Sequence, residues 1–272
     1  MIGINGTVDR ISVEPSRRCS KGCSFCYNGS TSEGTGAWTP DDIVQFARSC
    51  AEGGVKSISF GGGEPLEWEP IFDVLASLED VLARTLTTNG LPLEVEGVLD
   101  RLVDARPEKV HVSIHAPENP REIARALKHA HALARRGVPS GINLLVRRSR
   151  LAECHAAAKT LHDEGLGNDR IVFLPMRGED TPTPNEIASV AGGPFQSMTC
   201  LSACGKSPRF ASIDADRRAA WCSYTRSRRT LSVPTFEALA SALDGLDLAP
   251  CDGPGLVRLA HLVRRSPERE LA

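Results

Sequence analysis

The chain has 272 residues, 41% hydrophobic and 24% charged, an ordinary globular composition long enough to bury a sizeable core. Lys and Arg number 32 against 34 Asp and Glu, a net charge of -2, which excludes the strongly basic surface of a general nucleic-acid binder. No run of about eighteen apolar residues offers a membrane helix, and Met1 to Arg10 lacks the basic start and apolar stretch of a signal peptide, so the chain reads as cytoplasmic, with no membrane partner.

Ile11-Ser12-Val13-Glu14-Pro15 is a first predicted strand, running into a cysteine-rich loop. A helix from Pro40 to about Ala51 follows, with Thr39 as its N-cap and acidic residues in its first turn. Val55 to Phe60 is a second strand, Glu69 to Leu82 a helix, and Arg84 to Thr88 a third strand stopped by Asn89-Gly90. Leu93 to Asp104 reads as helix and Lys109 to His115 as a fourth strand. Arg121 to Arg136 is the clearest helix, with Ile123, Leu127, Ala130 and Ala134 at three- and four-residue steps. Ser140 to Val146, a helix from Leu151 to Glu164, and Arg170 to Pro175 complete the series.

That alternation is the pattern of a parallel sheet with helical crossovers. Six βα units fall short of the eight of a closed barrel, so the expected fold is α/β, a partial (β/α)6 TIM-like barrel. It spans residues 1–180, with a small C-terminal extension over 181–272. Around Pro182, Pro184 and Gly192-Gly193-Pro194 the chain reads as irregular. Arg209 to Asp214 and Arg218 to Cys222 form a candidate hairpin turning at Ala215-Asp216-Arg217, and Thr235 to Leu243 and Gly255 to Arg264 are short helices.

Nine cysteines stand out, an odd number in a chain read as belonging to a reducing compartment. Cys50 and Cys154 sit in helical patterns as small buried hydrophobes. Cys19, Cys23 and Cys26 share one loop, with gaps of three and two residues that let it wrap three thiolates around one metal centre. A structural zinc would want a fourth Cys or His, and none lies nearby. Three thiolates suit a 4Fe-4S cluster whose remaining iron is open to a small molecule.

Cys-x3-Cys-x2-Cys with Phe25 before its last cysteine, on the loop after a first strand, resembles the radical S-adenosylmethionine superfamily. The resemblance covers roughly residues 11–175 and implies a 4Fe-4S cluster on Cys19, Cys23 and Cys26. It further implies reductive cleavage of S-adenosyl-L-methionine to a 5′-deoxyadenosyl radical, with an electron donor such as flavodoxin or ferredoxin. Gly62, Gly63 and Glu64, ending the second strand, match the family's Gly-Gly-Glu motif, which holds the methionine amine of the cosubstrate. Phe25 and Tyr27 flank the last cysteine as cofactor-binding candidates. Ser113 and Asn143, on the fourth and fifth strands, fall where the family contacts the ribose or carboxylate. His115 shares the face of Ser113, and Leu174 and Pro175 are candidates to line the adenine, while Lys21 reads as solvated.

Beyond the barrel, Cys200-x3-Cys204-x17-Cys222 resembles the twitch-type segment that binds an auxiliary 4Fe-4S cluster, with Cys251 available as a fourth ligand. Arg217 stands where such segments carry a glycine. Phe195, Met198, Trp221 and Tyr224 read as packing around it, and Arg209, Arg217, Arg218, Arg226, Arg228 and Arg229 as a solvated face or a local basic patch able to meet an anionic substrate.

The function expected is hydrogen-atom abstraction from a small-molecule, nucleotide or peptide substrate. Two alternatives stand beside it. Ser113 to Pro117, Gly63 to Leu66 and Ala203-Cys204-Gly205 resemble pieces of radical RNA methyltransferases, against which the chain lacks their extra N-terminal domain and is not basic. A non-catalytic Fe-S or zinc scaffold is the other, and the Gly-Gly-Glu motif argues against it.

Overall fold

A computed structural model describes residues 8–198, 207 and 209–248. The first six strands are β1 (Arg10–Val13), β2 (Ser57–Phe60), β3 (Ala83–Thr88), β4 (Lys109–Ile114), β5 (Ser140–Val146) and β6 (Ile171–Pro175). They pair in chain order, each parallel to the next. The helices between them are α1 (Pro40–Glu52), α2 (Ile71–Ser77), α3 (Val98–Asp104), α4 (Pro120–Arg135) and α5 (Leu151–Asp163). The fold is therefore the expected α/β partial barrel.

Alternation along these strands separates two chemistries. Ile11, Ile58, Leu86, Val112, Ile142 and Leu144 are buried in the apolar core. Their neighbours Ser12, Ser59, Thr87, Ser113 and Asn143 face the concave side and line a cavity there. The register holds this polar layer together, Ser12 lying opposite Ser59 and Ser113 opposite Asn143.

The helical layer differs from the sequence reading in three details, the first being that α2 stops at Ser77 where the helix was expected to run to Leu82. The expected helix over 93–104 is broken, because Gly97 takes a φ of 81° and caps α3 in the left-handed region. The stretch read as irregular contains α6 (Pro184–Ala191). Thr183 accepts from the Glu186 N–H, Glu186 returns the bond, Pro184 fills the first turn and Gly192 closes the helix.

The chain then adds short strands to both edges of the same sheet. β7 (Gln196–Ser197) lies parallel to β6. β8 (Phe210–Ile213) lies parallel to β1 on the opposite edge. β9 (Arg218–Ala220) returns from β8 as the expected hairpin arm, and β10 (Arg229–Thr230) pairs with it antiparallel. The order is β10-β9-β8-β1-β2-β3-β4-β5-β6-β7, and among the described residues no pairing joins β7 to β8, so the sheet stays open. Thr235 caps α7 (Phe236–Leu243), whose Phe236, Leu239 and Leu243 join the core. Among the described residues, no helix is long and apolar enough to cross a membrane. The expected helix over 255–264 lies outside the described residues.

Candidate active site

The loops at the C-terminal ends of β1 to β6 enclose a cavity of about 320 Å3. Cys19, Cys23 and Cys26 line it, all three as free thiols and all partly exposed. Their loop doubles back on itself: the Cys19 N–H donates to the Thr31 carbonyl at 2.8 Å, and the Thr31 N–H donates to that of Arg17 at 3.1 Å. The loop after β2 is sewn to it. Gly63 donates its N–H to the Ser16 carbonyl at 3.1 Å, and Glu64 donates to the Arg18 carbonyl at 2.7 Å. Such closeness demands glycine at position 63, because a Cβ there would collide with the Arg18 carbonyl oxygen. Gly62, at a φ of 91°, lies against Glu14 in the same manner.

Glu64 is 2% exposed, and its carboxylate joins two loops. It accepts from the Leu66 N–H at 3.1 Å and from the Asn89 N–H, beyond β3, at 2.7 Å. Burial lifts its pKa to about 7 against those bonds. Asn89 turns its own amide toward the metal loop, donating to the Cys19 sulfur at 3.6 Å. This places the Thr-Asn-Gly ending of β3 in the site.

The β4 side is built around a buried ion pair. Lys21, expected to be solvated, instead holds Glu122 of α4 at 2.6 Å, with side-chain exposures of 12% and 5%. It is drawn in because Glu122 also accepts the His115 N–H at 2.6 Å and so needs a cationic partner in its buried position. His115 lines the cavity, its ring 6.2 Å from that of Phe25. Burial and the Lys21 charge press its pKa down to about 4, so the imidazole is neutral at pH 7. Ser113 and Asn143, both buried, complete this wall with Leu174 and Pro175.

Tyr27 is 46% exposed and stands at the rim, its hydroxyl donating to Glu14 at 2.9 Å and its ring 4.7 Å from that of Tyr224. Glu14, Tyr224, Met176 and Arg177 were not singled out from the sequence as site residues. Tyr224 comes from the segment after β9, and only the parallel pairing of β8 with β1 brings it here. No local pattern announces that.

The second cysteine group is placed differently. Cys222 is half-buried, accepts from the Tyr224 N–H at 3.4 Å and does not line this cavity. Cys200, Cys204 and Cys251 lie outside the described residues. Trp221 and Phe195 pack on the main core beside β9 and β7, near opposite edges of the sheet, rather than together around the second cysteine group, and Met198 and Tyr224 line the first cavity.

The donor set of the first loop fits a 4Fe-4S cluster with one iron lacking a protein ligand: three free thiols share one cavity wall, and an amide N–H already faces the Cys19 sulfur. Among the described residues no three His, Cys, Asp or Glu side chains close on a single metal ion.

Comparison with known proteins agrees with this geometry. The family model described as the radical SAM superfamily matches residues 13–182. Among curated proteins, the probable GTP 3′,8-cyclase of Methanocaldococcus jannaschii is 27% identical over 203 residues, 67% of this chain and 66% of the relative. That of Methanothermobacter marburgensis is 34% identical over 120 residues, 43% of this chain and 38% of the relative. The chain thus matches between about a third and two thirds of such relatives' length. Among solved structures, Streptococcus suis SuiB bound to its precursor peptide SuiA superposes with a TM-score of 0.67 at 14% identity, covering 93% of this chain and 67% of SuiB. Native anSMEcpe with bound AdoMet gives 0.60 at 15% identity, covering 86% and 80%. These two likenesses are of fold.

Proposed function

Because the chain belongs to the radical SAM superfamily, we propose that it is an enzyme which cleaves S-adenosylmethionine reductively and abstracts a hydrogen atom from a small-molecule, nucleotide or peptide substrate. The observation that carries this is the meeting of the three loop thiols, the Gly62-Gly63-Glu64 turn, Ser113 and Asn143 around one cavity. Cys19, Cys23 and Cys26 hold the cluster in this reading. When bound, it supplies the electron that splits the sulfonium and so delivers the 5′-deoxyadenosyl radical. The residues of the chain do the placing. Glu64 offers its remaining lone pairs to the methionine ammonium, Ser113 and Asn143 bond the sugar or carboxylate, and Phe25, Leu174 and Pro175 exclude water from the radical.

Nucleotides belong among the candidate substrates because the curated relatives carry the name probable GTP 3′,8-cyclase. The segment from residue 181 on serves in this proposal as the substrate-facing extension, with Cys200, Cys204 and Cys222 binding a second 4Fe-4S cluster and Cys251 available to close it. A cytoplasmic flavodoxin or ferredoxin supplies the electron.

Replacing Cys19, Cys23 and Cys26 together by Ala tests both parts. Reconstituted wild type should form 5′-deoxyadenosine under reducing conditions and carry roughly eight irons, the sum of two four-iron clusters. The triple variant should form none and keep about half the iron. Undiminished 5′-deoxyadenosine in the variant would overturn the catalytic assignment. A wild-type count near four would remove the second cluster.

A further inference from the structure

A second cavity, of about 580 Å3, adjoins the first and shares with it Phe25, Tyr27, Met176, Arg177, Ser223 and Tyr224. The Tyr27 and Tyr224 rings, tilted 54° to one another, stand at the seam, with the Arg177 guanidinium 4.8 Å from the centre of the Tyr224 ring. Beyond the seam the wall is cationic: Arg17, Arg218, Arg226 and Arg228 line it, against the carboxyl groups of Glu14 and Asp214.

Two of these arginines are committed to acids. Arg17 forks onto Asp216 at 2.8 and 2.6 Å. Arg218 grips Asp214 at 2.9 and 2.8 Å. Arg228 is held otherwise. Its Nη2 donates to the Ser223 carbonyl at 2.6 Å, while its Nε stays 3.8 Å from an Asp214 oxygen that Arg218 already occupies. Its Nη1 is buried and has no hydrogen-bond partner. The side chain is only 11% exposed. Glu14 faces it electrostatically but makes no hydrogen bond to it, its oxygens accepting instead from Tyr27 and Asn28. A buried guanidinium with an unused N–H is costly unless something supplies the acceptor. The head group thus lines the cavity with one N–H unmatched, its nearest acid standing beyond hydrogen-bonding distance.

We propose that Arg228 receives an oxyanion of the substrate, a carboxylate or a phosphate, in this second cavity, across the Tyr27–Tyr224 seam from the cosubstrate. The proposal rests on the function read above and narrows its substrate class to anions. A guanidinium presents N–H donors in a fixed fork that match such a group. The substrate is thereby anchored at one end, leaving the carbon to be attacked to reach past the two tyrosines.

Calorimetric titration of the reconstituted protein with pyrophosphate and, separately, with citrate tests this without any reductant. One of the two should bind, and which one does separates a phosphate from a carboxylate. Its affinity should fall at least about tenfold in Arg228→Gln. Arg228→Lys should recover part of it, and Arg101→Gln, an exposed arginine paired with Glu69 elsewhere, should change nothing. S-adenosylmethionine affinity should be the same in all four proteins, which also reports that the variants are folded. Failure of both anions to bind wild type, or equal binding to Arg228→Gln, would overturn the proposal. Anion binding that depends on Arg228 in a protein that forms no 5′-deoxyadenosine would instead support the anion site and discard the reaction.

Discussion

Glu64 illustrates how one buried carboxylate serves structure and chemistry together. Its oxygens accept the backbone N–H groups of Leu66 and Asn89, and so clasp the ends of β2 and β3 around the cysteine loop. Glu64→Ala leaves both donors without an acceptor and should lower stability by about 2–4 kcal/mol, on the order expected for two unsatisfied buried groups. Glu64→Gln keeps one acceptor oxygen and should lose less, yet bind S-adenosylmethionine roughly tenfold more weakly for want of the charge, with iron retained. With a pKa near 7, against about 4.3 in an unfolded chain, Glu64 adds stability that is complete below the unfolded value and is lost as pH rises through 7. Thermal melts of wild type should show that decline, and those of Glu64→Gln should not. Unchanged cosubstrate affinity in Glu64→Gln would reduce the residue to a clasp. The motif residues were legible because their spacing is local. The roles of Glu14, Lys21 and Tyr224 were not, since each depends on a partner that the fold supplies: Tyr27, Glu122 and, for Tyr224, again Tyr27.

At the scale of elements, strands were easier to place than the ends of helices. β5 has the expected bounds, a fully buried stretch in which Ile142, Leu144, Leu145 and Val146 outweigh Ser140 and Asn143. The helix over 93–104 was drawn too long, since the left-handed Gly97 inside the pattern interrupts it. α6 was overlooked although Thr183, Pro184 and Glu186 spell a capping box; the prolines and glycines around it outweighed that signal. The contact between the β1 and β2 loops carries its own prediction. Gly63→Ala would drive a methyl group into the Arg17–Arg18 backbone, whereas a Cβ at Gly61 meets nothing within 4 Å. Gly63→Ala should therefore displace the cysteine loop and sharply reduce iron per chain after reconstitution, and Gly61→Ala should bind iron as wild type does. Equal iron in both would mean that the two loops can part without consequence.

Across the whole molecule, six parallel strands in chain order follow from the βα rhythm, and they set the polar faces of β1 to β5 around one cavity. The additions of β7 and β8 to opposite edges were not legible, because pairing between strands as distant in sequence as β1 and β8 leaves no periodic trace. Yet β8 is what carries Tyr224 and Arg228 to the mouth of the site, giving the first cavity an adjoining chamber. The central claim is that the cavity presents an iron open to S-adenosylmethionine, and electron paramagnetic resonance of the reduced, reconstituted protein before and after adding the cosubstrate tests it most directly. The account predicts a reduced-cluster signal that shifts on addition, and this responsive signal should be lost when Cys19, Cys23 and Cys26 are replaced, leaving only that of the second cluster. A signal from that loop's cluster left unchanged by saturating S-adenosylmethionine would contradict it.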